Sequence, residues 1–170
     1  MTDYNRSRCL ALALALGGCS SDEPDTKPPE SATLNPIAYF TGHAEGRATL
    51  HKLVGAPEAI LVHSDGRSDG KGGVFLAQRI EEQGKPPRTR QWHLVPAGPG
   101  HFTGSLTDAS GPVAASVTGP RLEIEYPMKG GLEARQVLVL RGDGRTLDNR
   151  LKVTKLGLQL ARLDEIIVKQ

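Results

Sequence analysis

Tyr39-Phe40-Thr41-Gly42-His43-Ala44-Glu45-Gly46-Arg47-Ala48-Thr49-Leu50-His51 alternates with a period of two. Phe40, Gly42, Ala44, Gly46, Ala48 and Leu50 fall on one face; Tyr39, Thr41, His43, Glu45, Arg47, Thr49 and His51 fall on the other. Successive side chains of a strand point to opposite sides, so the stretch predicts one long strand with a small, apolar face and a polar face. Glycines on the inner face let such a strand coil sharply, as a barrel stave does.

The same alternation recurs down the chain. Trp92 and Leu94 oppose Gln91 and His93; Phe102, Gly104 and Leu106 oppose His101, Thr103, Ser105 and Thr107. Leu122, Ile124 and Tyr126 oppose Arg121, Glu123 and Glu125, and Leu147, Asn149, Leu151 and Val153 oppose Asp148, Arg150, Lys152 and Thr154. Ile60–His63, Val74–Ile80 and Val137–Leu140 are apolar runs whose faces the pattern does not assign. Turn chemistry separates the runs at Asp65-Gly66, Gly70–Gly73, Gly84–Pro87, Gly98–Gly100, Ser110-Gly111, Gly119-Pro120, Gly130-Gly131 and Gly142–Gly144. Such short connections force antiparallel neighbours. The expected fold is all-β, an antiparallel up-and-down barrel of about 8–10 strands, since closure removes the edges of so long a meander. The ambiguous pattern of Leu156–Leu163 is read as a helical turn before a last strand at Asp164–Lys169.

Composition limits the functions available. At 170 residues there is room for one domain with a real core. Aromatic residues are only 4%, so a binding cavity must be walled mostly by aliphatic side chains. The net charge of +2 is dispersed and does not describe a nucleic-acid surface. The two cysteines, Cys9 and Cys19, precede the strands, so the strand region holds no disulfide framework.

The N-terminal residues read as an address. Arg6 and Arg8 precede the apolar run Cys9–Leu16, which is far shorter than the roughly twenty residues that span a bilayer. Leu16-Gly17-Gly18-Cys19 then resembles a bacterial lipobox, which implies a signal peptide over 1–18 and lipidation of Cys19. Each buried methylene of such an anchor contributes about 0.8 kcal/mol, so several acyl chains hold firmly. Ser20 stands where retained inner-membrane lipoproteins often carry Asp, so the resemblance implies the outer membrane, facing the periplasm. Residues 19–36 are polar, with four prolines, and read as a disordered, semi-extended tether ahead of a domain at 37–170.

The domain itself resembles a family of bacterial lipoproteins with a lipocalin-like (calycin-type) domain of unknown function. The likeness is carried by Tyr39–Gly46, Arg90-Gln91-Trp92-His93-Leu94, Gly98–Gly104 with Asp108 and Gly111, Asn149-Arg150 and Lys155-Leu156-Gly157. The chain departs from the family's pattern at Arg141-Gly142-Asp143-Gly144, where aromatic residues are usual. The resemblance implies fold and location, not an activity.

No residue pattern points to catalysis. Gly66–Lys71 lacks the spacing and the following helix of a phosphate loop and reads as a hairpin. His43, His51, His63, His93 and His101 form no short ligand pair, so no metal or other cofactor is expected. No serine occupies a Gly-x-Ser-x-Gly elbow, and Glu123 and Glu125 lie opposite apolar Leu122 and Ile124. The chain is therefore read as a binding protein, not an enzyme.

Strand parity does point to a site. If Trp92 and Leu94 face inward, so does Arg90, and with it Arg88; Asn149 goes inward with Leu147 and Leu151. A polar group inside a barrel needs a partner, since leaving it unpaired costs several kcal/mol. The expected ligand site has Arg90, Asn149 and Tyr126 as polar anchors and Phe40, Trp92 and Phe102 as walls, for a small apolar or lipid-like molecule. The alternative is a filled barrel serving as an envelope scaffold or assembly protein through protein contacts. An apolar patch on the outer surface would mark that alternative.

Overall fold

The structure, a computed structural model, describes residues 33–170. Cys19, the expected signal peptide and the greater part of the expected tether lie outside the described residues. A short helix, α1 (Pro36–Phe40), leads into ten strands: β1 (Gly42–Lys52), β2 (Glu58–Ser68), β3 (Val74–Glu82), β4 (Arg88–Gly98) and β5 (His101–Leu106), then β6 (Val113–Thr118), β7 (Arg121–Met128), β8 (Leu132–Leu140), β9 (Thr146–Lys155) and β10 (Leu158–Lys169). Each strand pairs antiparallel with the next, and β10 pairs with β1, so the sheet closes into a barrel.

Parity works as the alternation predicts. Ala44 and Ala48 of β1, Trp92 and Leu94 of β4, and Leu122, Ile124 and Tyr126 of β7 are buried inside. The outer wall carries charge pairs instead: Arg47 with Glu45 (2.6 Å), Arg135 with Glu123 (2.8 Å) and Arg150 with Asp164 (2.7 Å). A membrane-spanning barrel would show an apolar belt there.

Because the strands run strictly up and down, the connections alternate between two ends. One end receives α1 and the turns at 69–73, 99–100, 119–120 and 141–145. The other receives 53–57, 83–87, 107–112, 129–131 and 156–157. The segment before β1 closes the first end. Buried Leu34 donates its N–H to the Gly119 carbonyl (2.9 Å), and the Tyr39 hydroxyl donates to the carbonyls of Arg145 (2.8 Å) and Ile167 (3.2 Å). Lys169 Nζ donates to the carbonyls of Ala38 (3.0 Å), Tyr39 (2.7 Å) and Thr41 (2.6 Å), satisfying groups that a helix C-terminus leaves open.

Three sequence expectations change. Tyr39 and Phe40 belong to α1, not to the first strand. Asn35 caps the helix by accepting from the Ala38 N–H (3.1 Å), and Pro36 suits its first turn. Tyr39 consequently packs into the core and does not face solvent. Asp65-Gly66 is not a turn but lies within β2, where a Cβ on Gly66 would stand 1.6 Å from the Phe40 carbonyl oxygen. The glycine therefore admits α1. Finally, Leu156–Leu163 contains no helical turn: β10 begins at Leu158, and a register shift between Gln159 and Ala161 disrupts the period-two pattern there.

Candidate functional site

Strand registers bring a layer of polar side chains to the inside of the barrel. On β3 and β4, Val74 faces Leu94, Leu76 faces Trp92, and Gln78 faces Arg90. Across the barrel Asn149 of β9 faces Glu165 of β10, while Gln136 of β8 faces Leu151. Ser64, Gln78, Gln136, Asn149 and Glu165 are all buried, and Arg90 is half-buried.

The layer is hydrogen-bonded in two parts. The Gln78 amide oxygen accepts from Arg90 Nε (2.7 Å) and from Trp92 Nε1 (2.8 Å), and its amide nitrogen donates to Ser64 Oγ (3.0 Å). The Arg90 guanidinium also lies 5.5 Å from the centre of the Trp92 ring, which meets Tyr126 edge-on at 5.7 Å. In the second part, Asn149 Nδ2 donates to Glu165 Oε2 (2.7 Å). Burial pushes the Glu165 carboxyl above its ordinary value; the Asn149 bond and the Arg90 charge oppose that shift less strongly. Gly46 makes room for this carboxyl, since a Cβ there would stand 2.0 Å from Glu165 Oε1. Asn149 Oδ1 is buried with no hydrogen-bond partner among the described residues.

Between the two parts lies a cavity of about 40 Å³. Val74, Leu76, Leu94, Ile124, Leu138 and Ile167 form its aliphatic wall, Phe40 and Trp92 supply rings, and Gln78, Arg90, Gln136 and Glu165 supply the polar lining. All but Phe40 project from strands; Phe40 comes from α1. The volume suits a few water molecules or one small chemical group, and is well below the roughly 300 Å³ at which pockets for whole ligands begin.

The six residues expected from sequence are distributed unevenly. Phe40, Arg90 and Trp92 line the cavity, Phe40 from the helix instead of a strand. Asn149 stands behind Glu165, and Tyr126 stands behind Trp92. Phe102 packs half-buried against the core without lining the cavity. Arg88 points to the rim, where it pairs with Glu82 and Asp108 (both 3.2 Å). Gln78, Gln136 and Glu165 were missed. Their signal was parity alone: each lies two residues from a buried apolar neighbour, Leu76, Leu138 and Ile167 respectively.

The hairpin expected at 66–71 turns at 69–73 instead, since residues 66–68 belong to β2, and Asp69 organises the turn. Asp69 Oδ1 accepts from the N–H groups of Lys71 (2.7 Å) and Gly73 (2.8 Å), while Oδ2 meets His93 Nε2 at 2.9 Å. The His93 hydrogen bond, then the two backbone bonds, hold the Asp69 carboxyl down to about 2. Phe75 stacks on His93 with ring centres 4.1 Å apart. Its groups are satisfied, and the cluster lies on the outer wall.

Comparison with known proteins agrees with this architecture. A family model described as a protein of unknown function, DUF3833, matches residues 13–169. No curated protein matches the sequence. Among solved structures, an S-type phycobiliprotein lyase, CPES, from Guillardia theta superposes with a TM-score of 0.59 at 7% identity, covering 79% of this chain and 90% of that one. Rv2717c from M. tuberculosis superposes with a TM-score of 0.60 at 16% identity, covering 81% and 99%. At such identities the likeness establishes the fold, which is lipocalin-like.

Proposed function

The chain belongs to the DUF3833 family, whose description assigns no activity, and from the barrel interior we propose that it is a lipid-anchored envelope protein that holds a small, mainly apolar ligand by a polar end group. One observation carries the reading: an aliphatic cavity converges on Gln78, Arg90, Gln136 and Glu165, a costly set to bury for packing alone. The polar end of the ligand would sit against Arg90 and Glu165. Its apolar body would need more room, which displacement of Phe40 with the five-residue α1 would open toward the helix end of the barrel. A phycobiliprotein lyase with the same fold is a precedent for the architecture in a protein that handles another molecule. The lipobox-like Leu16-Gly17-Gly18-Cys19 supports the anchor and, with Ser20, an outer-membrane location facing the periplasm.

The small volume supports a second reading, a filled barrel that acts through protein contacts. Native mass spectrometry of residues 21–170, which omit the proposed lipid-bearing Cys19, purified without detergent separates the two. An added mass of a few hundred daltons, removed by organic extraction and lost in Arg90→Leu, supports the ligand reading. A bare mass that persists after incubation with envelope lipids overturns it. For the anchor, Cys19→Ala should abolish metabolic labelling by fatty acid, and retained labelling would exclude this cysteine as the site.

A further inference from the structure

The end of the barrel opposite α1 presents apolar side chains that the fold leaves uncovered. Leu53 and Val54, in the connection between β1 and β2, are 65% and 84% exposed; Leu156 and Leu158, at the turn between β9 and β10, are 99% and 58% exposed. The two tips are neighbours. β1 pairs with β10 as far as Lys52 opposite Ala161, and the Leu53 N–H donates to the Leu160 carbonyl at 2.9 Å. The four side chains therefore belong to one edge of the rim, unlike the singly scattered apolar residues of an ordinary surface.

Charge marks the same edge. Each tip opens with a lysine, as Lys52-Leu53-Val54 and as Lys155-Leu156-Gly157-Leu158. No Asp or Glu occurs in 52–57 or in 155–163. Lys52 reaches Glu58 at the foot of its tip, whereas Lys155 has no ion-pair partner among the described residues. Leu156 has a φ of +50°, a conformation that disfavours leucine, and it buries almost nothing. Folding gains little from leucine at that position.

We propose that this rim docks on an anionic phospholipid surface. Leu53, Val54, Leu156 and Leu158 enter the headgroup region, and Lys52 and Lys155 meet lipid phosphates. Apolar tips that each open with a lysine are complementary to such a surface, where each basic residue adds to binding. The contact requires neither the cavity nor Cys19, so it stands or falls separately from both.

The test places a tryptophan at the tip of the full-length chain. Leu156→Trp, and Val54→Trp as a second position should the first perturb the turn, are mixed with vesicles of brominated phosphatidylglycerol or brominated phosphatidylcholine. Trp92 is buried and supplies a constant background. Tip emission should shift to the blue and be quenched by the brominated phosphatidylglycerol at least twofold more than by the phosphatidylcholine. Adding Lys52→Glu and Lys155→Glu should remove that preference. Absence of quenching at both positions overturns the proposal, as does equal quenching by the two lipids. A blue shift without vesicles that grows with protein concentration assigns the rim to self-association, and one that requires an added protein fraction assigns it to a protein partner. Either also overturns it.

Discussion

The two ends of the barrel treat apolar side chains in opposite ways. At one end Leu34, Pro36 and Tyr39 are buried under connections that lock them in place, and Lys169 fastens the helix from the chain's other terminus. At the other end Leu53, Val54, Leu156 and Leu158 stand in solvent. Residues of similar hydrophobicity thus have different consequences: the first group stabilises the fold by removing apolar area from water, and the second cannot. The second group is the one assigned above to a contact outside the monomer. The hydrogen-bonded polar layer lies between these ends.

The largest expected effect breaks the comparison if it fails. Tyr39→Ala removes a buried ring and a hydroxyl that donates to two carbonyls, and should lower stability by about 3 kcal/mol. Leu156→Ala, a truncation of similar chemistry at the far end, should change it by less than about 0.5 kcal/mol. Urea denaturation of both variants measures the contrast. Equal losses would mean that the far tip is packed and that the distinction between the ends is false.

Glu165 yields the next effect and sharpens the role of the middle layer. Its carboxyl is raised by burial, so the folded state favours the protonated form. That contribution is fully present below the ordinary glutamate value and is lost as the pH rises through the raised one. Glu165→Gln keeps the volume and removes the titration, so the variant should be the more stable protein at neutral pH and lose its advantage in mild acid. The difference between the two denaturation curves at several pH values is the measurement, since Asp69 and Asp143 cancel in it. Those two carboxyls are held down to about 2 and act in the opposite sense: their support is lost as the pH falls toward that value.

The barrel was legible because period-two alternation is a long-range signal repeated on many strands, and because nearly every turn carries glycine. Its interior was harder to read. Gln78 sits in a run, Val74–Ile80, whose faces the sequence pattern does not assign, and only its register against Arg90 reveals which face it takes. Gln136 is followed by four consecutive buried residues, Val137 to Leu140, that conceal parity at the end of β8. Glu165 follows the irregularity in β10, so the alternation upstream of it cannot be carried through. Helix α1 is five residues long, too short to show a helical period, and its last two residues, Tyr39 and Phe40, fit the alternation that belongs to β1. The Asn35-Pro36 pair was its readable signal, as cap and first turn. Asp65-Gly66 misled in the other direction, because a glycine required by the approach of a backbone carbonyl looks the same in sequence as one required by a turn.

The smallest expected effect concerns Leu156 and has the less usual sign. Leu156 and Gly157 form a two-residue hairpin with φ values of +50° and +80°, the pattern of the turn that suits the twist of paired strands. Asn-Gly is the favoured pair there, because asparagine tolerates the left-handed region and leucine does not. Leu156→Asn should therefore raise stability by about 0.5 kcal/mol, since it relieves the turn and forfeits no burial. The same substitution removes the most exposed apolar group of the rim and should weaken vesicle binding. A gain in folding together with a loss in binding would separate the two uses of this leucine. A loss of stability would instead show that the tip is held by contacts of its own, and the far end would then resemble the closed one.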